Sequence, residues 1–275
     1  MAFSSRTLVR VTALALIAAP ALGAGDLQRE VVSGWTAYVD ATERRIATEL
    51  ADGSSPSDRF LVQDFMPSAS RLRRDVLAGT VVMDRMRPTG KGGEALEVPS
   101  ALVHHWRGAV FIPGTTLDAV LTSLRAEVPK QEDVIRSAVL ARGQDNMRVY
   151  LRLQRTKIVT AVYNSEHDVA FRRLGALRAS SASRSTRIAE VEHPETAEER
   201  ELLPGEDRGY LWRLNAYWRY QEVPGGVIAE CESLSLSRSV PFVLRLVAGP
   251  IINGTGRESM ERTLLSLRQH FSHGA

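Results

Sequence analysis

Residues 208–238, RGYLWRLNAYWRYQEVPGGVIAECESLSLSR, read as a β-hairpin. Trp212, Leu214, Ala216, Trp218 and Tyr220 alternate with Arg213, Asn215, Tyr217 and Arg219, the period of two that sends successive side chains to opposite faces of a sheet. Pro224-Gly225-Gly226 supplies the turn, and the answering strand runs from Val227 to Leu236. On that strand Ala229, Cys231 and Ser233 are small. If they share a face with the large rings, the space above them is either core or cavity, and alternation leaves both open. Arg213 and Arg219 fall on the other face and are expected in water.

The segments on either side extend this pattern. After VPFVLRLVAGPIING, the run TGRESMERTLLSLRQHF places Met260, Leu264, Leu267 and Phe271 on one helical stripe, with Thr255 as N-cap and Glu258 as its capping-box partner. Upstream, NMRVYLRLQR sets Met147, Val149, Leu151 and Leu153 against Arg148, Tyr150, Arg152 and Gln154, a half-buried strand. KIVTAVYNSEHDVAFRRL and SRSTRIAEVEHP continue that period, with SEHD at 165–168 read as a turn. EVEHPETAEERELLPGED at 190–207 is too charged to bury and reads as a surface loop. Further upstream, His104 to Ile112 is a strand, Pro113-Gly114 a turn, and Thr115 or Thr116 caps a helix carrying Leu117, Val120, Leu121 and Leu124, stopped by Pro129. GTVVMDRMRP reads as a strand, TGKGGEALEVPS as a loop, and a short helix or turn covers 66–78. Residues 26–52 form an amphipathic helix through Leu27, Val31, Trp35, Tyr38, Ile46 and Leu50, ended by Gly53 and Pro56.

The first 23 residues have a different character. Arg6 and Arg10 precede an apolar run, Val11 to Ala19, and the small residues Ala21, Gly23 and Ala24 follow. That is the layout of a cleaved secretory signal, and the run is too short to span a bilayer. The expectation is an exported, periplasmic protein with no membrane-spanning segment after the signal is removed.

The 275 residues are 44% hydrophobic and 24% charged, which is ordinary globular composition. The net charge of +3 falls by two when Arg6 and Arg10 are removed, and the arginines are scattered. Nucleic acid, which needs clustered basic charge, is excluded as a partner. Nothing in the chain specifies an oligomeric state.

The order strand, helix, antiparallel strands, long terminal helix resembles the helix-grip fold of the START-like (Bet v 1-like, polyketide cyclase/dehydrase) superfamily. The phrases that carry it are VHHWRGAVFIPGTTLDAVLTSL, YLWRLNAYWRYQEVPGGVIAECESLSLSRSVPF and RESMERTLLSLRQHF, within residues 98–272. The second also resembles exported bacterial members of unassigned function. The resemblance implies an α+β fold in which a curved antiparallel sheet wraps around the C-terminal helix. It divides the chain into a signal peptide (1–23), an N-terminal helical extension (24–90) and a START-like domain (91–275). It also implies an apolar cavity between sheet and helix, of several hundred Å³ where a lipid binds. The wall residues expected on this basis are Trp106, Met147, Val149, Leu151, Trp212, Leu214, Trp218, Tyr220, Cys231, Met260 and Leu264. The partner implied is a hydrophobic small molecule, a lipid or isoprenoid-like, with no cofactor.

Catalytic signals are sparse. Cys231 is the single cysteine and has no histidine beside it, so it reads as structural. His104 and His105, adjacent on a strand, point to opposite faces and cannot chelate one metal together. No His-Glu-x-x-His, no tetrahedral cysteine spacing, no P-loop and no nucleophile elbow occurs, so neither a metal nor a catalytic residue is assigned. Two readings stand beside ligand binding. One is a cyclase- or isomerase-like activity using His105 or another polar residue at the cavity; the other is a packed, non-catalytic envelope interaction module.

Overall fold

In chain order the elements are α1 (Ala24–Asp52), a 3-10 turn (Val62–Phe65), α2 (Ala69–Leu77), β1 (Val82–Arg85), β2 (Ala101–Pro113), α3 (Leu117–Ala126), β3 (Val134–Arg142), β4 (Asn146–Thr156), β5 (Thr160–Arg173), β6 (Arg178–Glu192), β7 (Arg200–Glu201), β8 (Arg213–Val223), β9 (Gly226–Arg238) and α4 (Phe242–Ser272). The structure is a computed structural model that describes residues 24–52, 59–90, 92–156, 160–239 and 242–272, with the side chains of 24–28 and 242–255 left out of the description. The leader expected over 1–23 and the helix stop at Gly53 and Pro56 lie outside the described residues.

The strands form one antiparallel sheet in the order β1-β2-β9-β8-β6-β5-β4-β3, with β7 paired to the far end of β6. It is the curved sheet of a helix-grip fold, with α4 on its concave side. Register shifts between β3 and β4 and between β5 and β6 help it bend. β1 pairs with β2, so the sheet takes in residues on the N-terminal side of 90, where the sequence suggested a boundary. In the β8–β9 hairpin Val223 faces Gly226. That leaves Pro224 and Gly225 as the turn, and Gly225 has a φ of 89°. Proline followed by a positive-φ glycine is the requirement of a type II turn.

Pairing settles which side chains share a face. Cys231 stands opposite Gly108 on β2 and Trp218 on β8, all on the concave side. A Cβ added at Gly108 would lie 2.6 Å from Leu264 Cδ1 and 3.1 Å from Met260 Cγ, so the glycine lets α4 settle directly on β2. There Met260, Leu264 and Leu267 join Val110, Ile112, Ala229, Cys231 and the α3 leucines in the principal core. Thr116 caps α3 by accepting a hydrogen bond of 3.2 Å from the Ala119 amide.

Three expectations are corrected. α4 begins at Phe242 and runs through Pro250, so Thr255 lies within the helix and is not its N-cap. A proline removes only one helical hydrogen bond and does not have to end a helix. SEHD is no turn: Ser165 to Asp168 lie in the middle of β5. Arg219 is not in water; only 4% of its surface is accessible, and Arg213 is half-buried.

The reason for the last correction is the N-terminal extension, which covers the convex face. α2 and the 3-10 turn place Phe60, Leu61, Leu72 and Val76 over Ala109 and Ile228. α1 places Trp35 and Tyr38 over Tyr217, Leu234 and Leu236. Between these apolar patches runs a buried polar chain. Tyr38 OH lies 3.0 Å from His105 Nδ1, and His105 Nε2 lies 2.6 Å from Glu232. Glu232 pairs with Arg45, Arg45 with Glu49 at 2.8 Å, and Glu49 with Arg219, which also donates to the Phe60 carbonyl at 2.8 Å. Beside it, Glu230 accepts from Arg107 at 3.0 Å and from the amides of Val62 at 2.6 Å and Gln63 at 3.2 Å. Burial would raise the Glu232 carboxyl, but its bond with His105 and the Arg45 guanidinium outweigh that and hold it down at about 2.

Candidate functional site

The concave face opens into a hollow of about 130 Å³ beside α4. Its floor is built by alternation on four strands: Met147, Val149 and Leu151 from β4, Val169 and Phe171 from β5, Ser181 and Ser183 from β6, and Trp218 and Tyr220 from β8. Leu124 of α3, then Glu127, Val128, Pro129 and Gln131, and Thr263 and Leu267 of α4 form the other wall. The rings of Trp218 and Tyr220 stack, with centroids 6.0 Å apart and planes 2° from parallel. They and Phe171 take up much of the floor. The enclosed space is therefore smaller than the several hundred Å³ the sequence suggested. A cavity of about 150 Å³ accepts benzene, so this one holds roughly one ring. Beyond Met147 and Phe171 lies a second, more polar hollow of about 290 Å³, lined by Arg125, Arg142, Gln144 and Asn146 among others.

The residues singled out from sequence divide into three groups. Met147, Val149, Leu151, Trp218 and Tyr220 line the hollow. Trp106, Cys231, Met260 and Leu264 share the concave face but pack in the core where α4 crosses β2, and the hollow does not reach them. Trp212 and Leu214 are elsewhere. Trp212 precedes the paired part of β8, packs in the cluster under α1, and donates its Nε1–H to Asp207 at 2.9 Å. The strand's period does not govern a side chain outside the strand. Leu214 keeps the expected phase but belongs to a separate cluster with Leu153 and Tyr163 at the other end of the sheet. His105, the residue named for acid–base work, faces away from the hollow, beneath α1. Burial pushes the Cys231 thiol well up, so it is neither a nucleophile nor a ligand in waiting.

Sequence reasoning missed the polar part of the site. His167 of β5 is on the concave face, opposite Val149 of β4 and Ser185 of β6, and is 2% exposed. Its Nε2 lies 3.1 Å from Ser165 Oγ and its Nδ1 lies 3.4 Å from Ser183 Oγ. Ser165 in turn donates to the Leu151 carbonyl at 3.1 Å. Ser181 Oγ and Tyr220 OH are 3.5 Å apart. Burial pushes His167 down to about 4, so its ring is neutral above that pH. The signal was present: Tyr163, Ser165, His167, Val169 and Phe171 keep one phase. A run of polar residues hid it.

The lining is apolar with a few hydroxyls. Among the described residues that line the hollow the one charged group is Glu127, at the mouth, with 66% of its side chain exposed. Among the described residues no three His, Cys, Asp or Glu side chains gather as metal ligands.

No known family profile matches the chain, and no curated protein matches it. Solved structures do. A STAR-related lipid transfer protein of Xanthomonas axonopodis is 17% identical, with 70% of this chain and 99% of that one covered and a TM-score of 0.46. The human StarD13 (DLC2) lipid transfer and protein localization domain is 10% identical, with 75% and 97% covered and a TM-score of 0.38. The Zhui aromatase/cyclase of Streptomyces sp. R1128 is 14% identical, with 62% and 94% covered and a TM-score of 0.36. The class to which the chain's own topology assigns it is that of helix-grip proteins.

Proposed function

We propose that this is an exported protein that binds a hydrophobic small molecule in the hollow between its sheet and α4. The observation that carries the reading is the hollow itself, a half-open space floored by Met147, Val149, Val169, Phe171 and Trp218 and roofed by Leu124 and Leu267. Filling it removes apolar surface from water at roughly 25 cal/mol per Å². A packed interior offers no such gain. No described helix is long and apolar enough to cross a membrane. Export rests on the leader pattern of residues 1–23.

The test is organic extraction of the purified chain followed by mass spectrometry, together with melting curves against a panel of apolar compounds. A co-purifying molecule, or a melting temperature that rises with ligand concentration, supports the proposal. Neither a bound molecule nor a shift with any compound would remove it. Cell fractionation and N-terminal sequencing test export: a mature chain starting near residue 24 outside the cytoplasm is expected.

A further inference from the structure

The hydrogen-bond chain behind the hollow has a direction, and that direction limits what can fill it. Ser165 has one hydroxyl proton and gives it to the Leu151 carbonyl. The contact from His167 Nε2 at 3.1 Å therefore needs an N–H on that nitrogen, pointing at the serine oxygen. A neutral imidazole with its proton on Nε2 has a bare Nδ1, which can only accept. Ser183, 3.4 Å away, gives its own proton to that atom. Ser183 Oγ is thus left with its lone pairs and no proton to offer. It lines the hollow, so the chain ends in a hydrogen-bond acceptor aimed at the occupant. Next to it, the Ser181 and Tyr220 hydroxyls share one contact of 3.5 Å, which engages the proton of only one of them. The other proton is available to an oxygen in the hollow.

Charge adds a second constraint. The described lining has no arginine, lysine or protonated imidazole, and its one charged side chain is a carboxylate at the mouth. An anionic group taken inside would lose its hydration with nothing to pair with.

We infer that the occupant is a neutral molecule with a hydroxyl on a ring-sized end, seated so that the hydroxyl donates to Ser183 Oγ and accepts from Ser181 or Tyr220. This rests on the ligand-binding reading above, and names the chemical class of the ligand. The hollow of about 130 Å³ suits one hydroxylated ring, and the open mouth lets an apolar tail extend outward.

Three probes of one shape test it by calorimetry: para-butylphenol, its methyl ether para-butylanisole, and para-butylbenzoate. The expected result is that the phenol binds about ten-fold more tightly than the ether, the worth of one good hydrogen bond. The benzoate should be the weakest. Ser183→Ala should abolish the preference for the phenol over the ether, and a cooperative thermal transition checks that the variant folds. His167→Phe should weaken the preference, since Ser183 would then be free to turn its proton toward the ligand. Equal binding of phenol and ether by the wild type would overturn the inference and leave the hydrophobic reading standing. So would a preference that survives Ser183→Ala, or a benzoate that binds best. If none of the three binds, the inference falls, while the reading it rests on stands or falls by the extraction and melting tests above.

Discussion

The two faces of the sheet follow the same alternation and end in opposite chemistry. On the concave face β4, β5, β6 and β8 bring apolar side chains and neutral hydroxyls to a hollow that is not filled. On the convex face β2, β8 and β9 bring His105, Arg107, Arg219, Glu230 and Glu232 beneath α1 and the 3-10 turn, and almost all of this charge is paired. Glu230 and Glu232 flank Cys231 in sequence, yet the cysteine belongs to the apolar core and its neighbours to the ion network. One face commits its burial to specific polar geometry; the other gives up packing to keep space. A buried ion network adds little stability over an apolar substitute, but it penalises any mispairing. That makes it suited to fixing where α1 sits.

The comparison can be broken in several places, and the largest effect is expected on the convex side. Arg107 is fully buried between Glu230 and Asp84. Arg107→Ala leaves a buried carboxylate without its partner and should cost about 3–5 kcal/mol in denaturant unfolding. A cost near zero would mean that the network is only loosely held. On the concave side, Leu264→Ala removes a fully buried side chain that rests on Gly108. About 2–5 kcal/mol is expected, because the rigid helix–sheet contact cannot close the gap.

Acid should separate the faces. His167 titrates at about 4 in the folded chain because burial disfavours its charged form. Unfolded, a histidine titrates near 6.5, so between these values the unfolded chain binds the extra proton. Stability then falls as the pH drops from about 6.5 to about 4, by up to roughly 3 kcal/mol. His104, pushed down by burial and by the nearby Arg85, acts in the same direction. Glu232 behaves differently. Its folded value of about 2 lies below the unfolded one, so its contribution is lost only as the pH falls from about 4.5 towards 2. His167→Gln should shrink the loss in the first window, leaving the part due to His104, and leave the second intact. A stability profile unchanged by that substitution would assign the first window to some other group. The smallest effect is expected at Arg148, whose pair with Asp168 is exposed. Arg148→Ala should leave the unfolding midpoint unchanged.

Much of this architecture was legible because alternation and helical stripes are local. The β8–β9 hairpin, the strand β4 and the stripe Met260, Leu264, Leu267 and Phe271 follow from spacing alone. Five of the wall residues were legible for the same reason: Met147, Val149, Leu151, Trp218 and Tyr220 share one phase on their strands. Two of the missing floor residues, Val169 and Phe171, follow the polar run SEHD, which resembles a turn in composition even though its phase is that of a strand; the other two, Ser181 and Ser183, are polar themselves. The errors at Trp212 and Thr255 share a different cause. Both sit where a local pattern stops governing position and pairing or docking takes over.

By itself the sequence determined which residues alternate, where the chain turns, and that a long helix closes the fold, because these depend on neighbours a few positions apart. Only the tertiary structure decided which of two equivalent faces is hollow and which is covered. Period two divides side chains into two sets without saying what will lie over each. That choice belongs to α1 and α4, whose places on the sheet are set by contacts between residues far apart in the chain: Tyr38 with His105, and Leu264 with Gly108.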